Sequence, residues 1–401
     1  MDLSIVDLSP VPDGGTATEA YEHTVEAARQ AERLGYSRFW VAEHHGMAER
    51  LAGTTPEVLL GHLAAETDAI RLGTGAVLLN HYSPFKVAEQ FGALDGLAPG
   101  RVDAGLGRAN GSPASDRALG TERHVENPDE DHAEKIESLV NHLYDDFPEG
   151  HPYADLEIPR SGAEPPEPWV LGSSTSSAAI AGELGLPFCF AAFIRPQFAT
   201  HAFEEYRDRF QPSELAGGVD EPAGIVAVNA VAAETDEDAA RRRAVAEASF
   251  KRMQRGVVGS TPSVEEAIDE LGGVPEPTPA TLDDDEWPRA ISGSPETLAD
   301  LLAQLADRVR RDRHVAVAEG HRFVGHGRQE LTQPFEVVSR PLLLNHHRPF
   351  LRIDPRSVVN IDPGERPLDR LRGVPYGGRE AIDIHFVAGR CAHRDEAPPE
   401  Y

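Results

Sequence analysis

The chain has 401 residues, of which 40% are hydrophobic, and this is enough apolar material for a sizeable core. Its formal net charge of −29 argues against contact with the nucleic-acid backbone, which requires basic surfaces, so we expect no nucleic-acid partner. No segment approaches the ~18 consecutive apolar residues of a membrane span, and we expect no membrane association.

The acidic bias allows two interpretations. Lysine occurs three times, so nearly all cations are arginine. The carboxylates could form a surface for a basic partner, or they could be spread over many helices as in halophilic proteins, where dense charge maintains solubility at high salt. We favour the second. The cysteines, Cys189 and Cys391, lack disulfide or metal spacing, which indicates structural thiols in a reducing, cytoplasmic environment.

Strand and helix patterns alternate along the first three quarters of the chain. Period-two or continuous apolar runs predict strands at residues 3–8, 36–42, 70–79, 101–106, 169–171, 187–192 and 224–232. Helical spacing, with caps and stops, predicts helices at residues 18–34, 56–69, 84–97, 129–144, 174–184, 198–210, 234–255 and 295–309. Between them lie a long loop at 107–127, a proline-rich stretch at 148–168 and an acidic insertion at 265–286.

Seven β–α units running in one direction predict an α/β fold with a parallel sheet. Their number favours a closed (β/α)8 TIM barrel with insertions over an open doubly wound sheet. The last strand and helix of such a barrel are not recognisable after Val309.

The pattern changes near Arg310. Residues 310–401 contain 15 Arg, no Lys and 13 acidic residues, a net charge of +2, against −31 for residues 1–309. Only residues 315–318 resemble a strand. We therefore divide the chain into a barrel at 1–309 and an atypical C-terminal segment at 310–401. This segment could be a disordered tail, an appended module or frame-shifted sequence, and we assign no site to it.

Three titratable residues, Glu43, His44 and His45, follow an apolar run that ends at Ala42. In an α/β chain this is where a buried strand delivers residues to a ligand crevice. Neighbouring strand residues point to opposite faces, so we expect that His44 and His45 do not share a metal ion. A histidine in this position suits a general acid or base.

Small residues end three other predicted strands, at positions 72–77, 105–111 and 171–177. Such residues allow a flat cofactor to approach the backbone, although the run at 73–76 could equally be a bulge. Arg108 could hold a phosphate in a bidentate fashion. The serine run beginning at Ser173 and Ser174 opens a helix, whose amino terminus could bind the same phosphate or could be an ordinary cap.

Together these motifs resemble the luciferase-like flavin monooxygenase family. The resemblance covers about residues 1–309 and is carried by FWVAEHH at 39–45, LGTGAV at 72–77, HYSP at 81–84, DGLAPGR at 95–101, GLGR at 105–108, LGSS at 171–174, LGLPF at 184–188 and SGSPET at 292–297.

The resemblance implies a (β/α)8 barrel, usually dimeric, that binds reduced FMN or the deazaflavin F420 at its carboxyl-terminal mouth. By this resemblance His44 matches the catalytic histidine. Gly75 and Ala76 match a strand bulge, often a non-proline cis peptide, behind the flavin ring. Arg108, Ser173 and Ser174 match contacts to the phosphate and ribityl chain.

The leading hypothesis is a monooxygenase that uses reduced FMN and O2 on an unidentified small organic substrate. The chain has no Gly-x-Gly-x-x-Gly fingerprint, so we expect a separate flavin reductase to supply reduced FMN. The alternatives are an F420-dependent oxidoreductase of the same fold, a non-catalytic flavin-binding protein and a phosphosugar enzyme, the last of which leaves the paired histidines unexplained.

Overall fold

The computed structural model describes residues 2–12, 14–109, 111–120, 125–212, 215–255, 261–283, 287–311, 336–338 and 382–389. The strands are β1 (Asp2–Asp7), β2 (Arg38–Val41), β3 (Arg71–Thr74), β4 (Val77–Leu78), β5 (Val102–Gly107), β6 (Glu167–Gly172), β7 (Phe188–Ala191), β8 (Gly224–Ala232), β9 (Ala290–Gly293), β10 (Glu336–Val338) and β11 (Ile382–Gly389). The helices are α1 (Ala17–Arg33), α2 (Pro56–Glu66), α3 (Pro84–Leu97), α4 (Pro113–Ala118), α5 (Pro128–Tyr144), α6 (Thr175–Glu183), α7 (Ala199–Arg209), α8 (Asp236–Gln254), α9 (Val264–Leu271) and α10 (Pro295–Arg311).

The strands form a curled parallel sheet in the order β1-β2-β3-β5-β6-β7-β8-β9, with helices between successive strands. Every neighbouring pair in this series is parallel. This confirms the predicted α/β fold of the (β/α)8 type. None of the helices in the described part of the chain is both long and apolar enough to cross a bilayer.

The eighth parallel strand was not predicted. β9 pairs with β8, placing Ile291 beside Ala230, and leads directly into α10. The eighth β–α unit therefore consists of β9 and α10 and spans residues 290–311, so its helix is the one predicted at 295–309 and only its strand was missed. β9 has four residues and one large side chain, so its sequence lacks the periodicity that identifies a strand.

The predicted strand at 70–79 is interrupted. β3 and β4 both pair with β5, with Gly73 opposite Asp103 and Val77 opposite Leu106. The three residues 74–76 therefore lie against only two, 104 and 105, and one extra residue in a strand is the mark of a β-bulge. Two predicted irregular regions also contain helices, α4 in the loop at 107–127 and α9 in the acidic insertion.

The C-terminal quarter contributes two described strands. β10 runs parallel to β1, and β11 runs antiparallel to β1 and β8. The predicted strand at 315–318 lies outside the described residues. The division of the chain at residue 309 and the nature of residues 310–401 stay predictions.

The barrel core is aromatic as well as aliphatic. Trp40 and Trp169 meet edge to face with ring centroids 6.1 Å apart, and both are buried. At the amino ends of the strands, buried Asp103 accepts hydrogen bonds from Arg38 (2.8 Å) and Arg71 (2.9 Å). This ion-paired end is filled, which leaves the carboxyl ends of the strands as the open mouth.

Candidate active site

A cavity of about 480 Å³ lies at the carboxyl ends of the parallel strands, within the usual size range of small-molecule and cofactor sites. Its wall includes residues that follow β2, β3, β5, β6 and β7. All six predicted site residues line it, namely His44, Gly75, Ala76, Arg108, Ser173 and Ser174. Their proximity is a structural fact, whereas their roles stay predictions.

The two histidines are arranged differently from the expectation. β2 ends at Val41, so Glu43, His44 and His45 lie beyond the strand, and all three line the cavity. The premise that His44 and His45 face apart is therefore wrong, because strand alternation does not extend past the last paired residue. The backbone N–H of His44 donates to the Gly53 carbonyl at 2.7 Å, and this hydrogen bond fixes the segment that follows β2.

Glu43 ties the segment after β2 to the neighbouring segment that follows β3. Its buried carboxylate accepts hydrogen bonds from the Leu78 N–H (2.8 Å), the Tyr82 hydroxyl (2.6 Å) and His45 Nε2 (2.6 Å). Burial and this carboxylate raise the pKa of Tyr82, so the phenol keeps its proton and acts as a donor. The carboxylate thus orients His45 and joins the end of β2 to the segment after the bulge.

His81 is a cavity residue that the sequence analysis did not assign to the site. Its ring meets that of His45 edge to face at 5.6 Å, and neither ring nitrogen has a hydrogen-bond partner among the described residues. Burial lowers the pKa of His81, although the Glu43 carboxylate acts in the opposite direction. A neutral imidazole with both nitrogens available can donate to or accept from a bound molecule.

The amino terminus of α6 forms a polar wall. Ser174 caps the helix by accepting from the Ser177 N–H at 3.3 Å, and the two hydroxyls are 3.1 Å apart. Ser173 precedes the cap and also lines the cavity. Hydroxyls and free N–H groups at a helix start are suitable donors for a phosphate.

Arg108 lines the cavity, but part of its guanidinium is engaged. Nη2 forms an ion pair with Asp129 and Nη1 donates to the Pro128 carbonyl, both at the start of α5. The Arg108 hydrogen bond lowers the pKa of Asp129, so the pair is charged at neutral pH. Of the five guanidinium N–H donors, those outside these contacts could still bind a phosphate.

The glycine-rich strand ends have two separate functions. A Cβ on Gly73 would lie 2.5 Å from Trp40 Cε3, and one on Gly105 would lie 1.8 Å from the Thr74 carbonyl oxygen. These two glycines serve internal packing, not the approach of a ligand. The Gly75–Ala76 segment, by contrast, lines the cavity, and its peptide bond is cis.

The sequence analysis also missed Arg195, which lines the cavity after β7. Like Arg108, it lies shortly after a predicted strand, and this position could have identified it. Among the described residues, no group of three or more His, Cys, Asp or Glu side chains is arranged to hold a metal ion.

The wall of the cavity is mostly apolar, with a few polar groups. Its apolar surface exceeds its polar surface, and the polar groups cluster at the α6 start, at Arg108 and around His44. This combination of apolar walls with a few placed polar groups is typical of cofactor sites at the mouth of an α/β barrel.

Comparison with known proteins agrees with this class of α/β-barrel enzyme. A family model described as luciferase-like monooxygenase matches residues 1–312. The chain therefore belongs to the luciferase-like monooxygenase family, a family of enzymes. It is 40% identical over 305 residues to N-acetyl-S-alkylcysteine monooxygenase of Bacillus subtilis, covering 76% of this chain and 88% of the relative. The solved structure of apo-MsnO8 is 40% identical, with a TM-score of 0.66, covering 77% of this chain and 90% of MsnO8.

More distant structures share the fold and differ in cofactor. The oxygenating constituent of the 3,6-diketocamphane monooxygenase of Pseudomonas putida, solved in complex with FMN, is 19% identical with a TM-score of 0.53. The match covers 77% of this chain and 89% of that protein. The F420-dependent tetrahydromethanopterin reductase of Methanopyrus kandleri is 16% identical with a TM-score of 0.56. The match covers 77% of this chain and 90% of the reductase. Over 103 residues, 26% of this chain, the sequence is 33% identical to the oxygenase component of a flavin-dependent trigonelline monooxygenase of Acinetobacter baylyi, covering 28% of that protein.

Proposed function

We propose that this enzyme is an FMN-dependent monooxygenase that uses reduced FMN and O2 to oxidise a small organic substrate. The observation that carries the proposal is the presence, in one cavity, of His44, the Gly75–Ala76 segment and the hydroxyl-bearing start of α6. When bound, reduced FMN would supply the electrons that activate oxygen.

Each part of the wall has a role in this proposal. Ser173, Ser174 and the remaining donors of Arg108 would hold the phosphate. The Gly75–Ala76 segment would lie against the flat ring. His44 would hold and transfer a proton at the reacting edge, in a cavity whose apolar wall excludes water.

F420 is the alternative cofactor, in an oxidoreductase that transfers hydride without oxygen. The cavity features that fit FMN also fit F420, and solved structures of this fold hold FMN in one case and an F420 adduct in another. Equilibrium titrations with FMN and with F420, followed by oxygen-electrode assays with enzymatically reduced FMN, separate the two. Tight F420 binding without oxygen consumption dependent on reduced FMN would overturn the monooxygenase proposal.

His44→Ala tests whether the site is catalytic or only binds a flavin. We expect oxygen consumption dependent on reduced FMN to fall by about 10²-fold or more, because a positioned general acid or base contributes about 10²–10⁴-fold, while flavin affinity is retained. His201→Ala is the matched control, since His201 is exposed on α7 and outside the cavity. Unchanged activity in His44→Ala would refute the catalytic role of His44, whereas a wild-type protein that binds FMN but shows no oxygen consumption dependent on reduced FMN would favour a non-catalytic binding protein.

We further propose a separate cytoplasmic flavin reductase as partner, supported by the relative that is an oxygenase component.

We also propose a homodimer of the barrel at residues 1–309. Val58 on α2 and Leu97 on α3 are 70% and 64% exposed, and a Cβ on Gly61 would contact Leu97 at 3.7 Å, so these side chains share one surface. Sedimentation of wild type and Val58→Glu measures whether this surface joins two copies.

A further inference from the structure

We propose that Arg195 is a specificity-determining residue that binds the carboxylate of an anionic organic substrate. This inference rests on the proposed function, because it names the substrate class of the same cavity. Arg195 follows β7 and lines the cavity mouth, with an exposed side chain. It forms no ion pair or side-chain hydrogen bond with the residues that the structure describes.

The charge of Arg195 is uncompensated on the described cavity wall. The wall has two arginines, and Arg108 is already paired with Asp129. The one carboxylate among its described residues is Glu43, whose oxygens accept from Leu78, Tyr82 and His45. In a chain of net charge −29, an arginine at a ligand mouth that has no carboxylate partner among the described residues indicates that an external anion completes the pair.

The segment that carries Arg195 is fixed. The Phe193 N–H donates to the Ala227 carbonyl of β8 at 3.1 Å. Arg289 Nη1 donates to the carbonyls of Phe193 (2.6 Å) and Ile194 (2.8 Å). A guanidinium presented from a rigid turn loses less conformational freedom on binding, which favours recognition of a specific group.

The surroundings of Arg195 define the rest of the substrate. Ile194, Phe193 and Met47 line the same cavity and offer apolar contacts. The phosphate of a cofactor has its own donors at the α6 start and Arg108. A substrate that matches both the apolar contacts and the guanidinium of Arg195 has an apolar body that ends in a carboxylate. Arginine binds a carboxylate through two parallel hydrogen bonds.

Matched acid and amide probes test this assignment without turnover. Hexanoate and hexanamide, phenylacetate and phenylacetamide, and 3-(methylthio)propanoate and its amide differ only in the charged group within each pair. Their affinities for the full-length protein saturated with oxidised FMN are measured by calorimetry and ligand-observed NMR. We expect wild type to bind each acid about ten-fold more tightly than its amide, Arg195→Gln to lose this preference, and Arg195→Lys to keep part of it.

The controls separate the possible sources of the anion. Arg209→Gln removes the same charge from α7 outside the cavity and should keep the acid preference. The FMN dissociation constant should be unchanged in Arg195→Gln, and a loss of FMN affinity would instead assign Arg195 to the cofactor phosphate. The inference is also overturned if wild type binds the acids no better than their amides, or if it binds neither. If the protein prefers the acids but neither FMN nor O2 takes part in its reaction, the proposed function is refuted and the inference about Arg195 stands.

Discussion

Glu43 shows how one residue can organise a cavity. It lies beyond the end of β2, is 4% exposed, and accepts from donors on three other residues. Two of these donors, Leu78 and Tyr82, belong to the segment that follows the bulge. The side chain therefore connects the loop that carries His44 with the wall that carries Gly75.

Glu43→Gln should destabilise the protein. The glutamine amide has a single acceptor oxygen, so at least one buried donor loses its partner, at a cost of about 1–3 kcal/mol in the free energy of unfolding. Urea unfolding measures the change. Glu57→Gln is the control, because its side chain accepts from Gln90 at 2.8 Å and a glutamine oxygen can still do so. Equal stability of the two variants would show that the Glu43 contacts are not important for folding.

His132 makes stability depend on pH. It is buried on α5, and burial, followed by the charge of Arg108, lowers its pKa from 6.5 to about 4. Between these pH values the unfolded state binds more protons, so the free energy of unfolding falls as pH decreases from 6.5 to about 4. The total loss from this residue is on the order of 3 kcal/mol.

His132→Gln should flatten this pH dependence, because glutamine does not titrate. Urea unfolding at a series of pH values from neutral to mildly acidic gives the slope for each variant. The comparison uses slopes, so any constant loss of stability in His132→Gln cancels. His201→Gln, at an exposed site, should keep the wild-type slope, and a wild-type slope in His132→Gln would contradict the prediction.

At the level of elements, the packing between β2 and β3 depends on a glycine. Gly73 leaves room for the Trp40 indole, and a Cβ there would lie 2.5 Å and 2.7 Å from two carbons of that ring. The indole also contacts Trp169 across the barrel interior. It cannot move away without disturbing the core.

Gly73→Ala should therefore destabilise the barrel by about 1–3 kcal/mol through overpacking. Gly96→Ala is a matched control in α3, where the structure has nothing within 4 Å of the added Cβ. This control should be neutral or should stabilise by up to about 1 kcal/mol, because alanine favours the helix. Thermal unfolding of both variants tests the contrast, which fails if the two midpoints shift together.

The same elements show what sequence patterns can and cannot predict. Long segments such as α1 and β8 were located correctly. Burial of one face gives α1 its helical spacing, and β8, which is buried along almost its whole length, forms a continuous apolar run. β9 was missed because a four-residue strand with a single large side chain shows no period. The site was located through strand ends, yet the Glu43 contacts and the ion pair of Arg108 with Asp129 were not predicted. Such contacts join residues distant in sequence, and their geometry depends on the folded barrel.

On the scale of the whole molecule, the dominant feature is the net charge of −29. Some of this charge is locally favourable, since α5 and α8 each begin with three acidic residues near the positive end of the helix dipole. The remainder produces self-repulsion that destabilises the compact state. Screening lowers this repulsion, because the Debye length falls from about 10 Å at 0.1 M salt to about 3 Å at 1 M.

We therefore expect the thermal midpoint to rise between about 0.1 M and about 1 M KCl. Exposed ion pairs such as Arg33 with Glu26 weaken over the same range, but each contributes only about 0–1 kcal/mol, so the reduced repulsion dominates. Sucrose at equal osmolality is the control, since it favours burial without screening charge. A rise in KCl that exceeds the rise in sucrose supports the halophilic interpretation of the acidic surface. Equal shifts in both, or a fall in KCl, would mean that charge repulsion does not limit the stability of this barrel.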